Sequence, residues 1–253
     1  MDLISVIMPF YKKKPYFSNT LKSVLNQSYR NIEIIIVYDD NDLDDLNHIK
    51  SLVTNKHNIS IILNNENLGV AKSRNKGIQE SKGKFIAFLD CDDIWLPEKI
   101  ELQHKFMCEN NYRITHTNYK IIDEKDNIIG ENISKSELNY KDLINSCDVG
   151  LSTVMCKREV LNISKFKDIK TKEDYALWLE LSRNGEKFLC LSKSLVCWRR
   201  TPKSLSRPFF TKIINGFKVY NKFEKKNLLK SFLLVINLGL HYIKKKINQK
   251  KNI

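Results

Sequence analysis

The chain has 253 residues, 42% of them hydrophobic and 28% charged, with 8 Gly and 5 Pro. That supply of apolar side chains excludes a disordered chain, and the scarcity of Gly and Pro excludes collagen-like or linker-like character. The formal charge is +14, yet residues 211–253 hold eleven Lys against Glu224 alone and so carry +10 of it: a nearly balanced body bears a basic extension.

Residues 3–8 form a short apolar run before Pro9 and read as a buried strand that stops there. Ser18 or Asn19 is placed to cap a helix with Phe17, Leu21, Val24 and Leu25 on one face. Residues 32–37, apolar apart from Glu33, read as a parallel strand covered on both faces, and they run into Tyr38-Asp39-Asp40. A third strand at 59–63 and a helix over 69–81 precede a fourth strand at 84–89, which runs into Asp90-Cys91-Asp92-Asp93. A helix over 97–110, a strand over 113–122, a turn at 124–127, a helix over 172–181 and a strand over 188–198 follow.

This alternation predicts an α/β fold: one Rossmann-like domain over residues 1–210, with a central, mostly parallel sheet flanked by helices. Two strands end in acids, and parallel strands put both acidic tips at one rim, where open α/β sheets bind ligands. Residues 211–253 are expected to form basic amphipathic helices. Leu228, Leu229, Phe232, Leu233, Ile236, Leu240, Ile243 and Ile247 follow helical spacing between Lys clusters, a pattern suited to a membrane interface, to packing on the domain or to a homodimer seam. No run reaches the roughly 18 apolar residues of a spanning helix, and the N-terminus lacks a signal-peptide pattern. The six Cys form no Cys-x-x-Cys pair and show no zinc spacing, so a cytosolic chain with reduced thiols is expected.

Asp90-Cys91-Asp92-Asp93 is the sharpest local signal. Clustered carboxylates repel one another, and a hard divalent cation, Mg²⁺ or Mn²⁺ held together with a diphosphate, relieves that repulsion. The same residues also suit a solvated turn that caps the next helix. Asp39 and Asp40 suit either a turn or acceptance of a base N–H or a ribose hydroxyl, and Lys72, Arg74 and Lys76 either a solvated helix face or an anion site. Glu173 and Asp174 favour the dipole of the helix they begin. Neither Gly-x-x-x-x-Gly-Lys-[Ser/Thr] nor Gly-x-Gly-x-x-Gly is present, which disfavours a P-loop nucleotidase and a dinucleotide dehydrogenase.

Six segments occur in one order: Ser5-Val-Ile-Met-Pro-Phe-Tyr11, Ser23-Val-Leu-Asn-Gln-Ser-Tyr29, Ile32-Glu-Ile-Ile-Ile-Val-Tyr-Asp-Asp40, Asn67-Leu-Gly-Val-Ala-Lys-Ser-Arg-Asn-Lys-Gly77, Phe88-Leu-Asp-Cys-Asp-Asp-Ile-Trp-Leu-Pro97 and Glu173-Asp-Tyr-Ala-Leu-Trp178. Together they resemble the family 2 inverting glycosyltransferases of the GT-A fold over residues 3–206. The resemblance implies that Pro9 and Phe10 lie beside the nucleotide base and that Asp39, with Asp40 as the alternative register, binds uracil. It implies that Arg74 lies near the nucleotide, that Asp90 and Asp92 serve ribose and a metal-bound diphosphate, and that Asp174 is the catalytic base. Arg199 or Arg200 is expected to reach the diphosphate.

The resemblance also implies a UDP-sugar donor, with glucose or galactose first. It implies a lipid-diphosphate-linked N-acetylhexosamine acceptor in bacterial O-antigen, lipopolysaccharide or capsule assembly, on the cytoplasmic face of the inner membrane. The Gln-x-x-Arg-Trp motif and spanning helices of processive synthases are absent, so one sugar is expected per acceptor. A sugar nucleotidylyltransferase is the competing enzyme class, but Pro9-Phe-Tyr-Lys-Lys-Lys-Pro15 lacks the Gly-rich loop it requires. A non-enzymatic membrane-surface or nucleic-acid-binding module would leave the strand-end acids repelling phosphates, so no nucleic-acid partner is expected.

Overall fold

The computed structural model describes residues 1–54, 56–201 and 209–251, with side chains through Lys244 save that of Phe209. Its N-terminal part alternates strand and helix: β1 (Ile4–Phe10), α1 (Lys14–Leu25), β2 (Ile32–Tyr38), α2 (Leu43–Val53), β3 (Ile59–Leu63), α3 (Val70–Glu80) and β4 (Phe85–Phe88). Then come β5 (Ile94–Trp95), α4 (Lys99–Glu109), β6 (Ile114–Ile122), β7 (Ile128–Asn132), β8 (Glu137–Leu138), α5 (Tyr140–Leu143), β9 (Met155–Lys157), α6 (Glu173–Arg183) and β10 (Phe188–Arg199). One sheet runs β3-β2-β1-β4-β9-β6-β10-β5, with β7 on β6 and β8 on β10. The β3-β2-β1-β4 ladder and the long β6–β10 pair are parallel, and the short β9 joins the two groups antiparallel.

Side-chain alternation divides the core into two layers. Ile7, Ile35, Val37, Ile86 and Phe88 point to the face covered by α3 and α6. Val6, Met8, Ile34, Ile36 and Ala87 point to the face that α1, α2 and α4 cover. Both faces are buried, which is why these strands read as continuous apolar runs.

Two boundaries differ from the sequence expectation. β1 continues through Pro9 to Phe10, because β4 pairs with β1 only as far as Ile7. Ile7 accepts from Leu89 N on the β4 side and Phe10 accepts from Asp39 N on the β2 side, so Pro9 faces the side where the ladder has ended and its missing N–H breaks no bond. α1 starts at Lys14, with Pro15 in its first turn, rather than at a cap of Ser18 or Asn19.

After residue 208 the chain forms α7 (Phe209–Lys218), a π-helical turn at Val219–Phe223 and α8 (Leu228–Lys251). Val219 and Tyr220 are fully buried in the α6-side core layer. Tyr220 Oη lies 2.8 Å from Tyr175 Oη and donates to Ile144 O. Buried Glu224 accepts from Tyr140 Oη and Arg183. On α8, Ser231, Leu234, Val235 and Leu238 turn toward the body, while Leu229, Phe232, Leu233, Ile236, Leu240 and Ile243 are exposed. The apolar stripe visible in the sequence is therefore left exposed on α8. Its last member, Ile247, and Lys245, Lys246, Lys250 and Lys251 lie outside the described side chains. Among the described residues no helix is long and apolar enough to cross a membrane.

Candidate active site

Beyond the carboxyl ends of β1, β2 and β4 opens a cleft of about 2080 Å³, lined by Pro9, Phe10, Asp39, Arg74, Asp90, Asp92, Glu173, Asp174, Arg199 and Arg200, among others. Asp39 follows β2 directly and is buried. Its Oδ1 accepts from Asn64 Nδ2 at 2.7 Å and Leu68 N at 2.8 Å, and its Oδ2 from Gly69 N at 2.9 Å. The carboxylate thereby ties β2 to the start of α3. Gly69 holds φ +83°, a left-handed conformation that a side chain would disfavour. Asp40 is not among the cleft residues: its carboxylate accepts from Lys12 N and Asn41 N. Between the two registers, Asp39 faces the cleft and Asp40 supports the β1–α1 loop. Phe10 is fully buried, its ring stacked on Tyr38 with centroids 5.4 Å apart.

The three acids after β4 have different environments. Asp90 is partly exposed, and its Oδ1 accepts from Arg74 Nη2 at 2.7 Å. Asp92 is paired through Oδ2 with the Lys13 ammonium. Burial pushes the Asp92 carboxyl above its usual range, with Lys13 opposing and Asp90 adding to the effect. Asp93 is structural: Ser152 Oγ donates to it at 2.5 Å and Arg199 N at 2.8 Å, and burial beside Asp92 and Asp90 pushes its pKa well up.

Asp90 and Asp92 offer hard oxygens, and the ion pairs with Arg74 and Lys13 each use one oxygen of a carboxylate, leaving the second outside the pair. A carboxylate at Asp92 strained by burial and by the neighbouring Asp90, and already countered by an ammonium, fits a divalent cation. No group of three or more His, Cys, Asp or Glu converges there among the described residues. The one such group, Asp2, His104 and Cys108, lies away from the cleft.

Arg74 is 3% exposed and spans two carboxylates, Asp90 and, through Nη1 at 2.5 Å, Glu173 Oε1. Burial opposes its charge, but the two acids outweigh that and raise its pKa. The expected nucleotide-side cation is thus an internal clamp between the β4 tip and the first turn of α6. Glu173 is pushed up to about 7 by burial, against the pull of Arg74. Asp174 is part-exposed at the cleft; its Oδ1 accepts from Tyr175 N at 2.7 Å, and burial raises its pKa. Lys172, just before this pair, adopts φ +67°, so the turn that aims Asp174 is strained, as turns at functional sites often are.

Arg199 is turned into the protein. Its Nε donates to Asp92 O and its Nη1 to Asp123 O, and its Nη2 pairs with Asp126 at 2.5 Å. It fastens the turn at 123–126 to the acidic tip. Arg200 lies at the cleft with its guanidinium 5.8 Å from the Trp198 ring. Sequence reasoning missed Lys13 and Ser152 as partners of the acids. The Lys12-Lys13-Lys14 run was the visible signal for the first; a lone Ser gives none.

Comparison with known proteins agrees with this fold. The family model for Glycosyl transferase family 2 matches residues 5–169. The chain is 32% identical over 235 residues, 92% of this chain and 91% of the other, to UDP-Glc:alpha-D-GlcNAc-diphosphoundecaprenol beta-1,3-glucosyltransferase WfgD of Escherichia coli. It is 30% identical over 249 residues, 97% of this chain and 98% of the other, to the putative teichuronic acid biosynthesis glycosyltransferase TuaG of Bacillus subtilis. Among solved structures, S. aureus TarS 1–349 in complex with UDP-GlcNAc superposes with a TM-score of 0.71 at 18% identity, covering 92% of this chain and 70% of that one. A parallel sheet with helices on both faces, acidic strand tips and a matching family model over most of the chain lead to one conclusion: this chain belongs to glycosyl transferase family 2 and has the GT-A-like fold.

Proposed function

We propose that the protein transfers a single glucose from UDP-glucose, with inversion, to a lipid-linked N-acetylglucosamine diphosphate in bacterial surface-polysaccharide assembly. The observation that carries the reading is that Asp39, Asp90, Asp92 and Asp174, from three separate segments, line one cleft. The sugar identities follow two relatives whose names give that reaction, WfgD and, at 39% identity over 188 residues, E. coli WfaP.

The uracil and ribose lie along Pro9, Phe10, Asp39 and Asp90, where buried rings and acceptor oxygens suit a flat base and vicinal hydroxyls. Asp174 takes the proton from the acceptor hydroxyl as that oxygen attacks the sugar C1. Arg200 donates charge-assisted bonds to the departing diphosphate, a role that engaged Arg199 leaves to it. Asp90 and Asp92 hold Mn²⁺ or Mg²⁺, which when bound supplies Lewis-acid stabilisation of the leaving group; a solved neighbour, Pyrobaculum calidifontis PcManGT, is described with GDP-Man and Mn²⁺. Residues 1–210 form the catalytic domain and 211–253 the extension. The exposed apolar face of α8, flanked by Lys225, Lys226, Lys230 and Lys244, rests in the cytoplasmic leaflet of the inner membrane.

One experiment tests this reading. The protein is incubated with Mn²⁺, a panel of nucleotide sugars and N-acetylglucosamine-diphosphate-lipid in anionic vesicles, and products are read by mass and protein partition by sedimentation. Addition of one hexose from UDP-glucose, abolished by EDTA, with the protein in the vesicle pellet, is expected. Transfer from another donor only, activity that survives chelation, or protein left in the supernatant contradicts the corresponding part.

A further inference from the structure

The cleft has a second wall of opposite charge. Besides the acidic strand tips it is lined by Lys212, Lys218 and Lys222 of α7 and the π turn, and by α8 residues including Phe232 and Ile236. Lys218 and Lys222 are exposed, one helical turn apart, and among the described residues none of the three lysines pairs with a carboxylate. Glu224, the one acid of the extension, is buried and bound to Tyr140 and Arg183, so it does not neutralise them. Lys212 Nζ lies 5.2 Å from the Tyr242 ring of α8, which places a cation against the apolar helix.

This wall is fastened to the catalytic loop rather than hung beside it. Buried Asn215 of α7 donates to Thr171 Oγ1 at 2.7 Å, three residues before Asp174. A methyl group on Gly216 would sit 3.8 Å from Lys172 Cε. Tyr220, between Lys218 and Lys222 in the chain, bonds to Tyr175, the residue after Asp174. The segment that carries the lysines is therefore anchored beside the proposed base.

We propose that Lys212, Lys218 and Lys222 form a second diphosphate subsite, distinct from that of the donor, which binds the isoprenoid diphosphate of the acceptor. The charge suits the ligand: ammonium groups without acid partners among the described residues, and beside them the exposed apolar residues of α8 for the isoprenoid chain. Such a wall places the acceptor sugar, which is attached to the diphosphate, over Asp174. The inference rests on the lipid-linked acceptor proposed above and adds the residues that recognise it.

The test uses farnesyl diphosphate as probe, titrated by calorimetry into the full chain saturated with UDP and Mn²⁺ so that the donor diphosphate site is filled. Lys218→Gln/Lys222→Gln, two exposed positions, is the variant. The wild-type chain is expected to bind the probe with UDP in place, and the variant about tenfold or more weakly. Farnesol, without the diphosphate, should bind both chains alike, and the affinity for UDP should be unchanged. Probe binding that competes with UDP, that is absent, or that is equal in both chains overturns the subsite. So does a variant that loses only its affinity for vesicles containing phosphatidylglycerol, since the lysines would then serve the bilayer. Because no sugar is transferred, failure here is separable from failure of the donor or acceptor-sugar assignment, which the product assay reads.

Discussion

Asp174→Asn is expected to lower kcat by about 10²–10⁴-fold while leaving the dissociation constant for UDP nearly unchanged. The substitution keeps the shape and the capping bond to Tyr175 N but removes the group that takes the acceptor proton. The pH profile carries a second signature. A base acts in its deprotonated form, so the rate climbs with pH through its pKa. Burial raises that pKa, with Arg74 and Tyr175 N–H opposing, so the acid limb of wild-type kcat should lie above the ordinary Asp range. The Asn variant should lose that limb. Near-normal turnover in the variant, or a limb that persists in it, would place the base elsewhere.

Arg74→Met carries the largest expected cost in stability. Arg74 neutralises Asp90 and Glu173 at once, and its removal leaves a nearly buried Glu173 without a counter-charge. Breaking a buried pair in this way costs about 3–5 kcal/mol while Glu173 is ionised, read as a lower urea midpoint at alkaline pH with unchanged slope. Adding Glu173→Gln should recover part of the loss, because the stranded charge goes with it. The sign with pH follows from Glu173: its pKa, already about 7 with Arg74 in place, rises further without the guanidinium, so the single variant should regain stability as pH falls from the alkaline side and Glu173 takes up a proton. A midpoint equal to wild type would mean that the clamp contributes nothing to the fold.

The sequence exposed the parts of the molecule that have a period or a position. β1, β2 and β4 are apolar on both faces, and acids follow β2 directly at Asp39 and β4 after one residue at Asp90, so the acid-bearing rim was legible. β5, β8 and β9 are two or three residues long, too short for any alternation to register. The clamp at Arg74 joins residues 16 and 99 positions away, and Lys13 meets Asp92 across 79, separations that only the sheet order brings together. α8 is apolar on two sides, so its pattern announced a helix but not which side meets the body. Ser231, at the centre of the inward face, is fully buried where the hydrophobic stripe would have placed it outside.

The central claim is direct displacement at C1 by a hydroxyl that Asp174 deprotonates. The most direct measurement is the anomeric configuration of the product formed from UDP-α-D-glucose, read from the H1–H2 coupling in the proton NMR spectrum. The account requires a β-glucoside; an α-glucoside would mean retention and would contradict it.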